Sequence, residues 1–383
     1  MKISVLCADL ADNAAGRALL LARLLEPLGQ VEIVGPCFGA PWAPMANTTV
    51  RCRSVAGRKL PGFAASMAEV GRMADGDLLY ASKPRLGSAG VAYLAKLRTR
   101  RPLLLDVDDW EVGFFLRGGF WGTVGRSLNL ANPAGLPWTW LGERLRGMAD
   151  AITVASRFLA ERFGGVLIPH VRDTDQWKPG ATDADGARRQ LGASSERLVM
   201  FLGTPRAYKG VDDLAAAMAR LGRRDAVLAV IGAAPDGGIA RRLRTLYPPT
   251  RFVAAIPFDD VPRYLEAADV VAVPQRDTSD TRGQVPAKLF DAMAVGRPVI
   301  STRVSMIPEV LENCGVIVPP GDVEALASGI GRLLDHPDEA AALGQRARER
   351  AVERYSYAAA RRALFPLIER VMGGRGARPG QIG

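Results

Sequence analysis

Histidine is nearly absent from this chain. Only His170 and His336 occur in 383 residues, which excludes a His-rich metal site and leaves a Ser-His-Asp triad few candidates. The four cysteines, Cys7, Cys37, Cys52 and Cys314, form no CxxC pair, so reduced thiols in a cytoplasmic protein are expected in place of disulfides or a thiolate metal site. No uninterrupted apolar run approaches the ~18 residues that a membrane-spanning helix needs. The opening MKISVLCADL places one Lys before a short apolar run and reads as a first β-strand, not a signal peptide. No Gly-x-Gly-x-x-Gly follows that strand, so the dinucleotide fingerprint is missing. Zinc-finger spacing and aromatic-basic RNA-binding signatures are missing too, and no nucleic-acid partner is expected.

What is present is a soluble, globular composition, 48% hydrophobic and 23% charged, with Lys plus Arg exceeding Asp plus Glu by 50 to 40. The net charge of +10 fits an anionic partner, such as a phosphorylated ligand or acidic lipid. Short β-like runs alternate with helical patterns throughout, which predicts an α/β fold with parallel sheets of βαβ units. In the first half strands are expected at 3–7, 31–34, 77–81, 103–107 and 151–154. Leu20, Leu21, Leu24, Leu25 and Leu28 form the stripe of a helix over 16–28. In the second half strands are expected at 198–202, 227–231, 251–255, 270–273 and 299–301, with helices at 211–221, 239–246, 261–267 and 322–334. Two domains are predicted, 1–180 and 186–354, joined by a Pro/Gly/Asp-rich connector. A helical segment at 355–373, interrupted by Pro366, is expected to pack back on the first domain, and the Gly-rich 374–383 to be disordered.

Five segments carry candidate chemistry. In 277–309, DTSDTRGQVPAKLFDAMAVGRPVISTRVSMIPE, Pro286 suits a first helical position and Gly296 the residue after the helix. Leu289, Ala292 and Met293 share one face, leaving Lys288 and Asp291 on the other. The loop Gly283-Gln284-Val285 would offer free N–H groups to an anion at the helix start, and Asp291 could accept from a sugar hydroxyl. The bland alternative is a capped helix with a Lys288–Asp291 surface pair. In 203–210, GTPRAYKG, Arg206 and Lys209 crowd a helix entrance, where cations are unfavourable unless an anion such as pyrophosphate sits between them. The acidic run 106–111, DVDDWE, follows an apolar strand; it reads as a hydroxyl-binding or base cluster, a DxD-type metal ligand set, or a solvated loop. The aromatic stretch 114–145, with Phe120, Trp121, Arg117 and Arg126, reads as a long loop that rests on an anionic membrane surface, closes over an acceptor, or packs on itself. Lastly, 9–16, DLADNAAG, could present N–H groups to a phosphate with Arg17 nearby, or be a plain turn.

Two of these elements together resemble the retaining GT-B glycosyltransferases of family 4. GTPRAYKGVDDL resembles that family's donor-phosphate motif, and PAKLFDAMAVGRPVIST followed by IPEVL and GVIVPPGD resembles its P-x-K-L-x-E-A-M-A-x-G-x-P-V-I block. ADAITVASRFLAERFG and the closing ERYSY are similar to further family segments. The resemblance covers most of the second half strongly and the first half weakly.

It implies a GT-B architecture, two Rossmann-like domains facing across a cleft, with a UDP-, GDP- or dTDP-sugar donor held mainly by the second. The implied donor site is Gly16, Gly203, Arg206, Lys209, Gly283, Gln284, Lys288 and Asp291, with Arg206 and Lys209 on the diphosphate and Asp291 at the ribose. No metal or cofactor is implied, because preplaced cations stabilise the leaving diphosphate. Two positions depart from the pattern: Gly283 stands where the family has its first motif acid, and the family's first-domain histidine is missing. Asp108 or Asp109 is the candidate replacement, as donor-hydroxyl ligand or as base. The expected activity is metal-independent, retaining sugar transfer to a lipid-linked or polysaccharide-precursor acceptor, in the cytoplasm or peripherally on the inner face of the membrane. A GT-B nucleotide-sugar epimerase and a catalytically degenerate nucleotide-sugar-binding subunit stay open as alternatives.

Overall fold

The computed structural model describes residues 1–45, 47–115, 129–193, 195–279 and 281–373. Its contacts divide the chain into two compact units: Met1–Pro169 together with the C-terminal residues from Ala360, and His170–Ala359.

Unit 1 is built on a seven-stranded, wholly parallel sheet. Its strands are β1 (Lys2–Leu6), β2 (Gln30–Cys37), β3 (Arg51–Ala56), β4 (Leu78–Ser82), β5 (Leu103–Val107), β6 (Ala151–Val154) and β7 (Val166–Leu167), in the order β3-β2-β1-β4-β5-β6-β7. The central β4 and β5 are buried at every residue, as expected of strands covered by helices on both faces. β3 was not expected: RCRSVA lies at the sheet edge, mostly exposed, and carries no apolar alternation. The first helix, Ala14–Leu25, starts two residues before the expected 16 and buries Leu20, Leu21, Leu24 and Leu25. It ends before Pro27, and Leu28 falls in a separate 3-10 turn, Glu26–Leu28. Within the aromatic stretch, where a loop was expected, Leu136–Arg144 is helical, with Pro137 in its first turn. The last helix, Tyr357–Gly373, runs through Pro366 without a break. Its Arg361 donates to the carbonyls of Arg23 and Leu24 at the end of the first helix. Residues 374–383 lie outside the described residues.

Unit 2 has a six-stranded parallel sheet: β8 (Arg197–Leu202), β9 (Ala226–Ile231), β10 (Thr250–Val253), β11 (Val270–Val273), β12 (Val299–Thr302) and β13 (Val316–Val318), in the order β10-β9-β8-β11-β12-β13. Helices Val211–Leu221 and Val323–Asp335 press Leu214, Met218, Leu326 and Ile330 onto Val199, Leu228 and Ile300 to form its core. Asp322 caps the second of these helices through the N–H of Ala325 at 2.9 Å. Both sheets are doubly wound. Their order turns back between β1 and β4 in unit 1 and between β8 and β11 in unit 2, and ligands of such sheets bind beyond the strand C-termini at that turning point.

Candidate functional site

In unit 2 the two segments singled out from the sequence leave these two strands. β8 exits into Gly203, whose φ of +110° suits glycine. A Cβ there would come within 2.6 Å of Lys288 Cε, so the lysine stem lies directly over the loop. Gly210, at φ +65°, caps the helix Val211–Leu221, and a Cβ on it would collide with the carbonyl of Pro274, which follows β11. The Tyr208 carbonyl accepts from the Arg276 N–H at 2.8 Å, and the Arg276 guanidinium grips Asp213. The 203–210 loop and the segment after β11 are thus fastened together. Arg276 was missed in the sequence, where nothing marks it apart from other arginines.

Lys288 is half-buried in the first turn of the helix Ala287–Ala294 and makes no hydrogen bond or ion pair among the described residues. Burial holds its ammonium below the ordinary lysine value, with Asp291 opposing and Arg172 adding to the effect. Arg206 is exposed on the neighbouring loop and forms no ion pair among the described residues. Lys209 turns back to donate to the Thr204 carbonyl at 2.8 Å.

The helix itself starts one residue later than expected, with Pro286 at the cap, and Gly296 follows it at φ +66°. The Lys288–Asp291 surface pair does not form. Asp291 is only 4% exposed and takes its hydrogen bond from Nε of Arg172. Arg172 is itself buried; its guanidinium donates to the Val171 carbonyl and lies over the rings of Trp177 and Phe258 at 5.5 and 5.3 Å. Nothing in the sequence marks Arg172, and only its apolar setting reveals it. The expected row of free N–H groups is also reduced. Gln284 donates its N–H to Thr281 at 3.0 Å, and the buried Thr281 hydroxyl folds the preceding loop by bonding to the carbonyls of Arg276 and Thr278. Gly283 is buried beside it.

In unit 1 the acidic run is neither solvated nor open. Lys83, which follows β4 at a φ of +73°, is buried and donates to Asp108 at 2.7 Å, Asp109 at 2.9 Å and Glu111 at 2.9 Å. Arg85 adds two bonds to the other oxygen of Glu111. Burial would lower the Lys83 ammonium, but the three carboxylates outweigh it and hold it well above its ordinary value. Burial pushes Asp108 up to about 6, with Lys83 opposing. Burial also acts to raise Glu111, yet Arg85 and Lys83 prevail and bring it down to about 2. Asp108, Asp109 and Glu111 offer oxygens within 4.8 Å of one another, spacing that would suit a metal ion, and the Lys83 ammonium bonds to all three. The run of cations after a buried strand, Ser82-Lys83-Pro84-Arg85, was the signal that could have found this partner.

Arg17 is not available to a phosphate. It is 2% exposed, bidentate to Asp106, and donates to the carbonyls of Ile168 and Pro169. Gly16 lies inside the first helical turn under Trp42, whose ring would be 3.0 Å from a Cβ at that position. A cavity of about 250 Å³ opens beyond β1 and β4, lined by Asp9, Asp12, Phe38, Phe63, Arg85 and Asn132 among others. Arg117, Phe120, Trp121 and Arg126 lie outside the described residues.

Solved structures place the whole chain in a fold class. Anabaena Alr3699/HepE, solved in complex with UDP-glucose, superposes with a TM-score of 0.74 over 96% of this chain and 99% of that one, at 19% identity. Sucrose-phosphate synthase from Thermosynechococcus elongatus superposes with a TM-score of 0.73 over 98% and 100%, at 20% identity. At these identities the likeness establishes the fold, which is GT-B.

Residues 196–336, the greater part of unit 2, match the family model of the glycosyl transferases group 1. Among curated proteins, the chain is 29% identical over 239 residues to a GDP-mannose-dependent alpha-(1-6)-phosphatidylinositol monomannoside mannosyltransferase of Mycolicibacterium smegmatis, an alignment covering 56% of this chain and 60% of that one. It is 30% identical over 220 residues to a D-inositol 3-phosphate glycosyltransferase of Saccharomonospora viridis, covering 52% and 48%. The alignments span about half the length of these relatives.

Proposed function

We propose that the chain is a family 4 glycosyltransferase that moves a sugar, with retention and without a metal, from a nucleoside-diphosphate sugar to an acceptor. One observation carries the reading: a half-buried lysine with no partner among the described residues, Lys288, lies over Gly203 at the turning point of the unit 2 sheet, against the loop that carries the exposed Arg206. A diphosphate there satisfies both cations, and the charge that develops as it leaves is stabilised by groups already in place. Lys209 joins them by exchanging the Thr204 carbonyl for a phosphate oxygen. Asp291, steadied by Arg172, receives the ribose. The Lys83 ammonium inside the Asp108–Asp109–Glu111 cluster supports metal independence, since it supplies the positive charge those carboxylates would otherwise seek from a cation. The cavity beside Asp9, Asp12 and Arg85 takes the acceptor, with Asp108 and Asp109 ordering its wall through Lys83.

The mannosyltransferase relative is GDP-mannose-dependent by name and a structural neighbour was solved with UDP-glucose, so UDP, GDP and dTDP form the test panel. A nucleotide that binds only the native state raises its stability by about 2.7 kcal/mol at one hundred times Kd. One of the three should raise the melting temperature of the wild type, and Lys288→Ala should remove that rise. No shift with any of them, or a full shift in Lys288→Ala, removes the donor site from this position. Product analysis with the stabilising nucleotide's sugars then tests transfer and anomeric retention.

A further inference from the structure

We infer that unit 2 carries a second ligand site, at the edge of its sheet opposite Lys288, that takes a small organic anion: a carboxylate or phosphate borne on an apolar body. A cavity of about 290 Å³ opens there. Its charged lining comes from residues at the strand starts: Arg197 is the first residue of β8, Asp269 immediately precedes β11, and Arg297 lies two residues before β12. Gly203 and Pro274, which frame the Lys288 site, leave the other ends of β8 and β11. Val295, Pro298, Leu333 and Leu334, all buried, supply an apolar wall. Roughly 150 Å³ of apolar space suffices for a benzene ring, so the cavity holds a ring or short chain together with its charged group.

Arg297 gives the site its sign. It is half-buried, and among the described residues its guanidinium makes one hydrogen bond, from Nη1 to the Ala268 carbonyl at a long 3.3 Å. Nε is buried without a partner, and no ion pair forms with Glu266 or Asp269. Burial acts to lower the guanidinium, with Glu266 and Asp269 opposing and Arg188 adding to the effect; an arginine stays charged all the same. The Nε–Nη2 edge, which matches two oxygens of a carboxylate or phosphate, is therefore unclaimed. The backbone beneath is fixed, since the Arg297 N–H bonds to the Ala292 carbonyl at 3.0 Å, so only the side chain has to turn to present that edge. Asp269 cannot take the place of a ligand. One of its oxygens accepts from the Leu198 N–H at 2.7 Å and from Arg188 at 3.2 Å, and the other accepts from Arg197 at 3.3 Å. Two arginines thus face the cavity against one carboxylate that is already engaged.

The test is isothermal titration of the full chain with benzoate and with phenyl phosphate at about 0.15 M salt, which screens loose attraction to the surface. At least one of the two should bind saturably at one site per chain. Benzyl alcohol lacks the charge and inorganic phosphate lacks the apolar body, and each should bind at least about tenfold more weakly. Arg297→Met should weaken the organic anion by about tenfold or more. That variant deletes a buried donor that has no partner, so it should fold; Ala341→Trp, which fills the cavity from an exposed helix position, should give the same loss by a separate route. Lys288→Ala should bind the organic anion as the wild type does, so this inference stands or falls apart from the donor-site reading. Absence of saturable binding of both probes up to about 10 mM overturns the proposal. So does binding unchanged in Arg297→Met or, should that variant not fold, in Ala341→Trp. Benzyl alcohol or inorganic phosphate binding as tightly as the organic anion overturns it too, as does loss of that anion in Lys288→Ala, which would place it in the donor site.

Discussion

Replacing Arg172 tests whether Asp291 is held by a buried ion pair. In Arg172→Met the apolar stem stays against Trp177 and Phe258, while the charge that meets Asp291 is removed. A carboxylate buried without its partner costs about 3–5 kcal/mol. For domains of this size each kcal/mol lowers the melting point by about 2–4 °C, so unit 2 should melt roughly 6–20 °C lower. The transition belonging to unit 2 is recognised as the one that the stabilising nucleotide shifts. Asp291→Leu alone leaves a buried guanidinium and should cost a similar amount. The double variant Arg172→Met with Asp291→Leu removes both charges and should recover most of the loss, because an apolar pair of similar volume is often as stable as a buried ion pair. Denaturant titration of the four proteins gives the coupling energy. A coupling below about 1 kcal/mol, or a double variant as weak as the sum of its parts, would falsify the claim that Arg172 holds Asp291 in a buried pair. Nucleotide affinity in the double variant gives a second reading: it should fall through the loss of Asp291 even where stability returns.

Three other perturbations follow from the same geometry. Lys83→Met removes one ammonium from three carboxylates and should destabilise unit 1 by about 3–5 kcal/mol near neutral pH; the loss should shrink at about pH 5, below the raised value of Asp108, as that carboxylate protonates, and denaturation giving equal losses at both pH values would refute the cluster. Burial raises Glu143 from 4.5 to about 7, so its contribution is full below about pH 4.5 and is lost as pH rises toward 7; Glu143→Gln should flatten the pH dependence of unit 1 stability across that window by about 2–4 kcal/mol, and an unchanged profile counts against the buried carboxyl. Gly203→Ala forces a side chain into φ +110° and against Lys288, which should cost about 1–3 kcal/mol and weaken nucleotide protection; in a Lys288→Ala background the steric part disappears and the backbone part remains, so identical penalties in the two backgrounds would show that Lys288 does not lie over the loop.

The βαβ alternation was legible because buried parallel strands are written as unbroken apolar runs. β4, β5, β8 and β9 are apolar enough to be read directly, while β3 hides behind the charges of an edge strand and β7 is two residues long. In the candidate site, the loop glycines and Lys288 were legible because local backbone chemistry singles them out: positive φ at Gly203 and Gly210, and a proline cap one residue before the helix. What stayed hidden was pairing across the sequence. Arg172 and Asp291 are 119 residues apart, and Arg17 and Asp106 are 89 apart. A charge pattern along the chain cannot distinguish such a buried partner from a solvated one, because its identity depends on which strand ends the topology brings together. Lys83 makes the point most sharply. Its φ of +73° is unusual for a residue with a Cβ, and nothing in the composition of SKPR demands it. The strain makes physical sense only once β4 and β5 are neighbours, since it turns the ammonium toward the three carboxylates that leave the adjacent strand. That ordering also explains why the acidic run could be read three ways from its residues alone: the cation that decides among the three is supplied by the next strand of the sheet.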